Sequence, residues 1–221
     1  MKAFVSWSGG KETALSCFRI MQRGDIKVTY LLNMISEDGK HSRSHGIKTD
    51  ILQLQAEKIG IPIIQKRTSW ETYEDEFKKA VLKLKKEDIE IGIFGDIDIQ
   101  EHRDWVERVC KEVDIKPILP LWQNKREELL YEFIESGFKA IVVSIKSDIL
   151  GKDWLGRHID KQFITQFKAL DNIDLCGERG EYHTFVYDGP IFRQPLQYIT
   201  GKHLLKNNHL FLEILHERGL K

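Results

Sequence analysis

The stretch Ser8-Gly9-Gly10-Lys11-Glu12-Thr13 stands directly behind an apolar run, Ala3 to Trp7, and its residue types suit an anion. A strand that ends in small residues and leads into a helix exposes that helix's first unpaired N–H groups, and the macrodipole favours a phosphate there. Gly9 and Gly10 let the backbone approach the anion, Lys11 supplies a mobile cation, and the Ser8 and Thr13 hydroxyls can donate to phosphate oxygens. Glu12 could reach a magnesium ion. A Walker A loop is excluded, because Val5 stands where its first glycine belongs and Glu12 where a hydroxyl must follow the lysine. The competing reading is a tight Gly-Gly turn that binds nothing.

Further candidates lie along the chain. Asp96 and Asp98 follow the apolar run Ile91 to Phe94, and ligands of open parallel sheets gather at the carboxyl ends of strands; strand-end turn chemistry is the alternative for Asp96. His102 and Arg103 open the next helix, where Arg103 could grip a pyrophosphate or form a surface salt bridge. His41 and His45 have no third soft ligand in a loop-like segment, which argues against zinc; Ser44 and His45 could instead cover a nucleotide's base or phosphates. Glu178 and Glu181, three apart across Gly180 in a stretch too glycine-rich for a helix, could orient an ammonium ion or magnesium from a loop facing the cleft. His183 has the ordinary pKa to accept a proton from ammonium or orient a carboxylate. Arg157 could hold an acceptor's negative groups, while Trp154, Leu155 and Cys17 suit a core.

These residues must be positioned by something, and the pattern supplies it. Apolar, β-branched runs at 3–7, 28–35, 62–67, 91–96 and 116–122 alternate with amphipathic stretches, the mark of a parallel sheet with crossover helices. The first helix places Ala14, Cys17, Phe18 and Met21 on one face; a second runs over 49–58, closed by Gly60 and Pro62. A third, over 73–86, turns Phe77, Ala80, Val81 and Leu84 inward, and a fourth covers 102–113. The fold class is therefore α/β, a doubly wound five-stranded parallel sheet. After about Gln123 the character changes: a helix over 125–136, an apolar strand over 140–145, a turn around 154–157, another helix, and a motif-rich segment over 176–192. The expected division is a nucleotide-binding unit, 1–123, and a smaller α+β substrate-binding unit, 124–221.

The 221 residues can bury a sizeable core, and 41% hydrophobic with 31% charged residues suits a globular chain. No run approaches the roughly 18 to 20 apolar residues of a membrane span, nor is there the apolar core of a secretory signal, so a cytoplasmic location with no membrane partner is expected. With 34 Lys+Arg against 34 Asp+Glu there is no global drive toward nucleic acid, and none is expected as a partner. Cys17, Cys110 and Cys176 form no C-x-x-C pair, against a disulfide framework, structural zinc or a redox dithiol.

The segment SWSGGKET, residues 6–13, resembles the SGGxDS loop of the N-type ATP pyrophosphatases, enzymes that split ATP into AMP and pyrophosphate to activate a carboxylate or carbonyl oxygen. Glu12 replaces the usual Asp and Thr13 the usual Ser. WLGR at 154–157, GERGEYHT at 177–184 and GIFGDID at 92–98 are together similar to the diphthine-ammonia ligase family, over nearly the whole chain. That resemblance implies an adenine nucleotide alpha hydrolase-like domain, ATP and Mg2+, and amide formation from ammonia through an acyl-adenylate. Ser8 to Thr13, His45, Asp96 and Arg103 would serve ATP, and Arg157, Glu178, Glu181, Tyr182 and Thr184 the acceptor, with Lys11, Glu178, Glu181 and His183 catalytic. The family's diphthamide-making members carry an acid where this chain has His183, a pattern closer to a sister subgroup. The acceptor is accordingly either diphthine on elongation factor two or another carboxylate, such as a cobalamin-type acid. A non-catalytic ATP sensor is a second reading, and an RNA-thiolating relative a third, disfavoured by the absence of paired cysteines and a basic face. Domains of this kind often dimerise, so a homodimer is open.

Overall fold

A computed structural model describes residues 1–170 and 173–217; the last four residues of the expected second unit lie outside the described residues. Strands β1 (Lys2–Ser6), β2 (Lys27–Ile35), β3 (Ile63–Arg67), β4 (Ile89–Ile93) and β5 (Lys116–Ile118) form one parallel sheet in the order β3-β2-β1-β4-β5. Helices α1 (Lys11–Arg23), α2 (Thr49–Ile59), α3 (Tyr73–Lys85) and α4 (Gln100–Glu112) make the crossovers. Strand residues alternate between two apolar layers: Ala3, Val5 and Trp7 enter one, Phe4 the other, together with Phe77, Val81 and Val109 of α3 and α4. Two-sided burial explains the near-continuous apolar runs. The α/β class expected from the alternation is the one observed.

The helix ends follow from sequence. Gly24 and Gly60 adopt the left-handed conformation that closes α1 and α2, and α3 carries Glu74, Asp75 and Glu76 in its first turn and Lys83 and Lys85 in its last, matching its dipole. Three expectations are corrected. β4 stops at Ile93, so Asp96 lies beyond it, and β5 has three residues on an edge where Pro117 and Pro120 limit the ladder. Met21 is 43% exposed, at the rim of the apolar face of α1.

Past β5 the chain turns through Gln123 into α5 (Arg126–Glu135) and a second, antiparallel sheet: β6 (Lys139–Lys146), β7 (Tyr182–Asp188), β8 (Ile199–Lys206) and β9 (His209–Leu215), ordered β7-β6-β9-β8, with α6 (Lys161–Lys168) between β6 and β7. The β8–β9 hairpin is not among the expected elements; its turn is Asn207-Asn208, both at positive φ, as a two-residue hairpin turn demands. One apolar cluster joins Val5, Trp7 and Leu15 to Phe133, Phe138, Phe163 and Tyr182, so both parts of the chain share a core. No helix among the described residues is long and apolar enough to cross a membrane.

Candidate functional site

The chain leaves β1 toward β2 and β3, then returns on the other side of β1 as β4, which opens a crevice where the carboxyl ends of β1 and β4 diverge. A cavity of about 260 Å³ occupies that place. Its wall includes Ser8, Lys11, Glu12 and Thr13 behind β1, Asn33 and Met34 of β2, Ser44 and His45, Tyr73, Asp96 and His102 beyond β4, and Cys176, Glu178, Tyr182 and His183 from the second part.

The glycine loop is shaped by close contacts. Gly9 has φ +84, and a Cβ there would lie 2.5 Å from Leu52 Cδ2; a Cβ on Gly10 would lie 2.3 Å from His45 Cε1. Gln55 of α2 is fully buried, donates to the carbonyls of Gly9 (3.1 Å) and Val186 (2.6 Å), and accepts from Trp7 Nε1 at 2.8 Å. The Val186 N–H donates to Gly9 O at 3.0 Å, so β7 adds to the loop as a strand would. Some donors expected for phosphate are engaged here. Thr13 Oγ1 donates to Gly10 O at 3.1 Å, Gly10 N donates to Ser8 Oγ at 3.2 Å, and Lys11 N donates to Thr184 Oγ1 at 3.1 Å. The N–H groups of Glu12 and Thr13, in the first turn of α1, precede any intrahelical partner.

Lys11 is 4% exposed; its Nζ donates to Cys176 O at 2.6 Å, pairs with Glu12 Oε1 at 2.5 Å and lies 4.5 Å from the Tyr182 ring centre. Burial opposes its charge, but Glu12 foremost among its neighbours overrides that and raises the ammonium above its ordinary range. Opposite it, burial first and then the charges of Glu12, Asp96 and Asp174 push the Glu178 carboxyl up to about 8. Asp96 accepts from His102 Nδ1 at 3.2 Å, and that bond raises the His102 pKa. His45 is buried, its Nδ1 lies 2.8 Å from the Thr184 carbonyl, and its ring stacks on His183 at 4.6 Å. Burial lowers both imidazoles, His45 to about 4.

Several candidates stand elsewhere. Arg103 is not in the cavity wall: it pairs with Glu107 at 2.6 Å and covers Trp122, the salt-bridge alternative. Arg157 lies over Trp154, donates to the carbonyl of Asp153 and bonds Gln166, outside the cavity. Asp98 pairs with Arg126. Glu181 is buried away from the cavity wall and accepts from Arg179 N at 3.1 Å, holding the turn that leads into β7. Thr184, fully buried, anchors Lys11 and His45 from β7. Cys176 contributes its carbonyl, and burial raises its thiol pKa.

Gln55, Asp174, Arg126 and Tyr73 are absent from the sequence-based candidates. Asp174 is buried, accepts from Cys176 N (2.9 Å) and Glu178 N (2.8 Å), and pairs with Arg126 at 2.9 Å, so it folds the acidic loop onto Lys11. The spacing Asp174-x-Cys176-x-Glu178 suits an Asx-type turn, the signal that could have found it.

The diphthamide synthase N-terminal domain model matches residues 1–117, and the diphthamide synthase C-terminal domain model matches residues 125–218. The diphthine–ammonia ligase of Rattus norvegicus is 26% identical over 99% of this chain and 90% of its own length. That of Schizosaccharomyces pombe is 28% identical over 94% of this chain and 38% of its own length. A solved structure from Methanocaldococcus jannaschii, described as a predicted subunit of tRNA methyltransferase, is 19% identical over 88% of this chain and 99% of its own, with a TM-score of 0.44.

Proposed function

The chain belongs to the diphthamide synthase family, and on that premise we propose that it is an ATP-dependent ligase that joins ammonia to the carboxylate of diphthine. The observation that carries this reading is the cavity at the sheet's switch point, where the glycine loop and Lys11 meet the second part's acidic loop. ATP activates the carboxylate as an acyl-adenylate with release of pyrophosphate, and ammonia displaces AMP. An acceptor of another kind, a cobalamin-type acid, or a sensor without turnover is not favoured, since the relatives are ligases named for diphthine.

The N-terminus of α1 receives phosphate oxygens through the Glu12 and Thr13 N–H groups, with Lys11 as the cation whose charge is secured by Glu12. Glu178 has room to serve the acceptor side. Glu12, Asp96 and Glu178 face one cavity, while among the described residues no three metal-binding side chains converge on a point. Such a donor set fits Mg2+, which takes one or two carboxylates and completes its shell with substrate phosphates and water. Glu12 and Asp96 are the residues to hold it, and bound there it would neutralise charge on the leaving phosphates.

The test is the nucleotide product from Mg-ATP and ammonium, with and without diphthine-bearing elongation factor two. Acceptor-dependent AMP is expected. ADP as the product, or AMP formed at the same rate without acceptor, would overturn the assignment.

A further inference from the structure

Two imidazoles, His45 and His183, stand in the wall of the cavity, and the phosphate and Mg2+ contacts proposed above use neither. His45 is 7% exposed and His183 stacks on it with 29° between the rings. The Thr184 carbonyl can only accept, so His45 Nδ1, 2.8 Å away, carries the proton and Nε2 presents a lone pair. Among the described residues no protein group bonds that Nε2 or either ring nitrogen of His183. The ring also abuts Gly10, at the mouth of α1.

The groups acting on the pair are Lys11 from α1, the Thr184 carbonyl of β7 and His209 of β9; no carboxylate is among them. Burial first, with Lys11 acting in the same sense and the Thr184 carbonyl opposing it at His45, keeps both rings uncharged at neutral pH. A lone pair beside a phosphate-binding helix end repels the anion's oxygens and calls for an N–H or O–H donor, and the Lys11 charge acting on both rings favours a neutral one over a cation. The required nucleophile is of that kind, because nitrogen attacks through a lone pair that ammonium does not have. A carboxylate on this wall would stabilise ammonium; neutral imidazoles beside Lys11 disfavour it.

We infer that His45 Nε2, backed by the stacked His183, is the hydrogen-bond acceptor that holds the nucleophile as free ammonia beside the glycine loop. This rests on the ligase reading above. The nitrogen lone pair forms the C–N bond at the acyl carbon, the C–O bond to AMP breaks with its electron pair leaving on AMP, and the nitrogen loses one proton to solvent. His183, lowered by burial, keeps the wall uncharged in this chain.

The experiment separates the two partial reactions in the full chain. Acceptor-dependent exchange of labelled pyrophosphate into ATP, without ammonium, reads adenylation; amide formation with free ammonia varied by pH at fixed total ammonium reads the second step. His45→Asn keeps a donor for the Thr184 carbonyl but deletes Nε2, and should raise the KM for ammonia about tenfold, a larger loss than the one in exchange. His45→Gln, which can return an acceptor at that reach, should recover part of the loss. In His183→Glu, ammonium should become an inhibitor at low pH. Equal loss of exchange and amidation in His45→Asn, or loss of neither, overturns the inference. Absence of exchange in the unsubstituted protein overturns the ligase reading itself, and this inference with it.

Discussion

Glu178 and the His45–His183 pair titrate in opposite senses, and together they set where the protein is most stable. The folded state raises Glu178 from its ordinary 4.5 to about 8, so between those values it binds more protons than the unfolded chain, and stability falls as pH rises through that window. The folded state lowers His45 from 6.5 to about 4, so there the unfolded chain binds more protons, and stability falls as pH drops through that window; His183 acts in the same direction. Two histidines outweigh one glutamate on the acid side, and above their window Glu178 acts in the falling direction together with His102, which its bond to Asp96 raises. Maximum stability without ligands is therefore expected at about pH 6.5. Glu178→Gln should remove most of the alkaline decline, with a gain of about 2 kcal/mol near pH 8.5 and little change near pH 5, read from urea midpoints. Parallel pH profiles for the two proteins would show that Glu178 is not held in this way. The sequence offered Glu178 and Glu181 as equivalents, three residues apart; which one faces the cavity is decided by the turns at Gly177 and Gly180, φ +71 and +83, and by Asp174. That is loop geometry, invisible to periodicity.

At the scale of elements, α2 shows how a positioning residue escapes notice. Its apolar face is Ile51, Leu52, Ala56 and Ile59, and Gln55 stands four residues after Ile51 on that inner face. A glutamine in a helix reads as surface, yet this one ties two other chain segments together, the loop at Trp7 and Gly9 and the strand at Val186. The spacing was the available clue. Gln55→Leu keeps size and helix propensity but leaves the Trp7 indole N–H and the Val186 carbonyl without their partner, at a cost of about 2–4 kcal/mol. Because the same side chain steadies the glycine loop, the KM for ATP should rise as well. Denaturation midpoints and initial rates measure both, and an unchanged KM with lowered stability would separate Gln55 from the loop's function. The β8–β9 hairpin was legible in principle, through Asn207-Asn208 between apolar runs, whereas β5 was overestimated because prolines on an edge shorten a ladder that composition alone would extend.

The five alternating units were readable because parallel strands buried on both faces must be apolar and the crossovers amphipathic. What the pattern could not carry is how the second sheet meets the first. Its edge strand β7 lies on the glycine loop: Val186 N donates to Gly9 O, Thr184 accepts from Lys11 N, and the Cys176 carbonyl ahead of the strand accepts from Lys11 Nζ. The glycine loop is thus completed by residues about 170 positions away in sequence, where pairing depends on three-dimensional register. The shared core makes the same point in apolar surface, since Val5, Trp7, Leu15 and Ile97 are buried in one cluster with Leu129, Phe133, Phe138 and Phe163. Cutting after Gln123 would expose that layer and strip Lys11 of its carbonyl partner, leaving a buried-type cation beside Glu12 alone. Residues 1–123 expressed by themselves should accordingly bind a hydrophobic dye, lose near-ultraviolet dichroism and unfold without a sharp transition. Cooperative unfolding at the midpoint of the full chain, with ATP binding retained, would mean that the parallel sheet is self-sufficient and that β7 merely decorates the loop. The expected outcome makes nucleotide binding a property of both sheets at once.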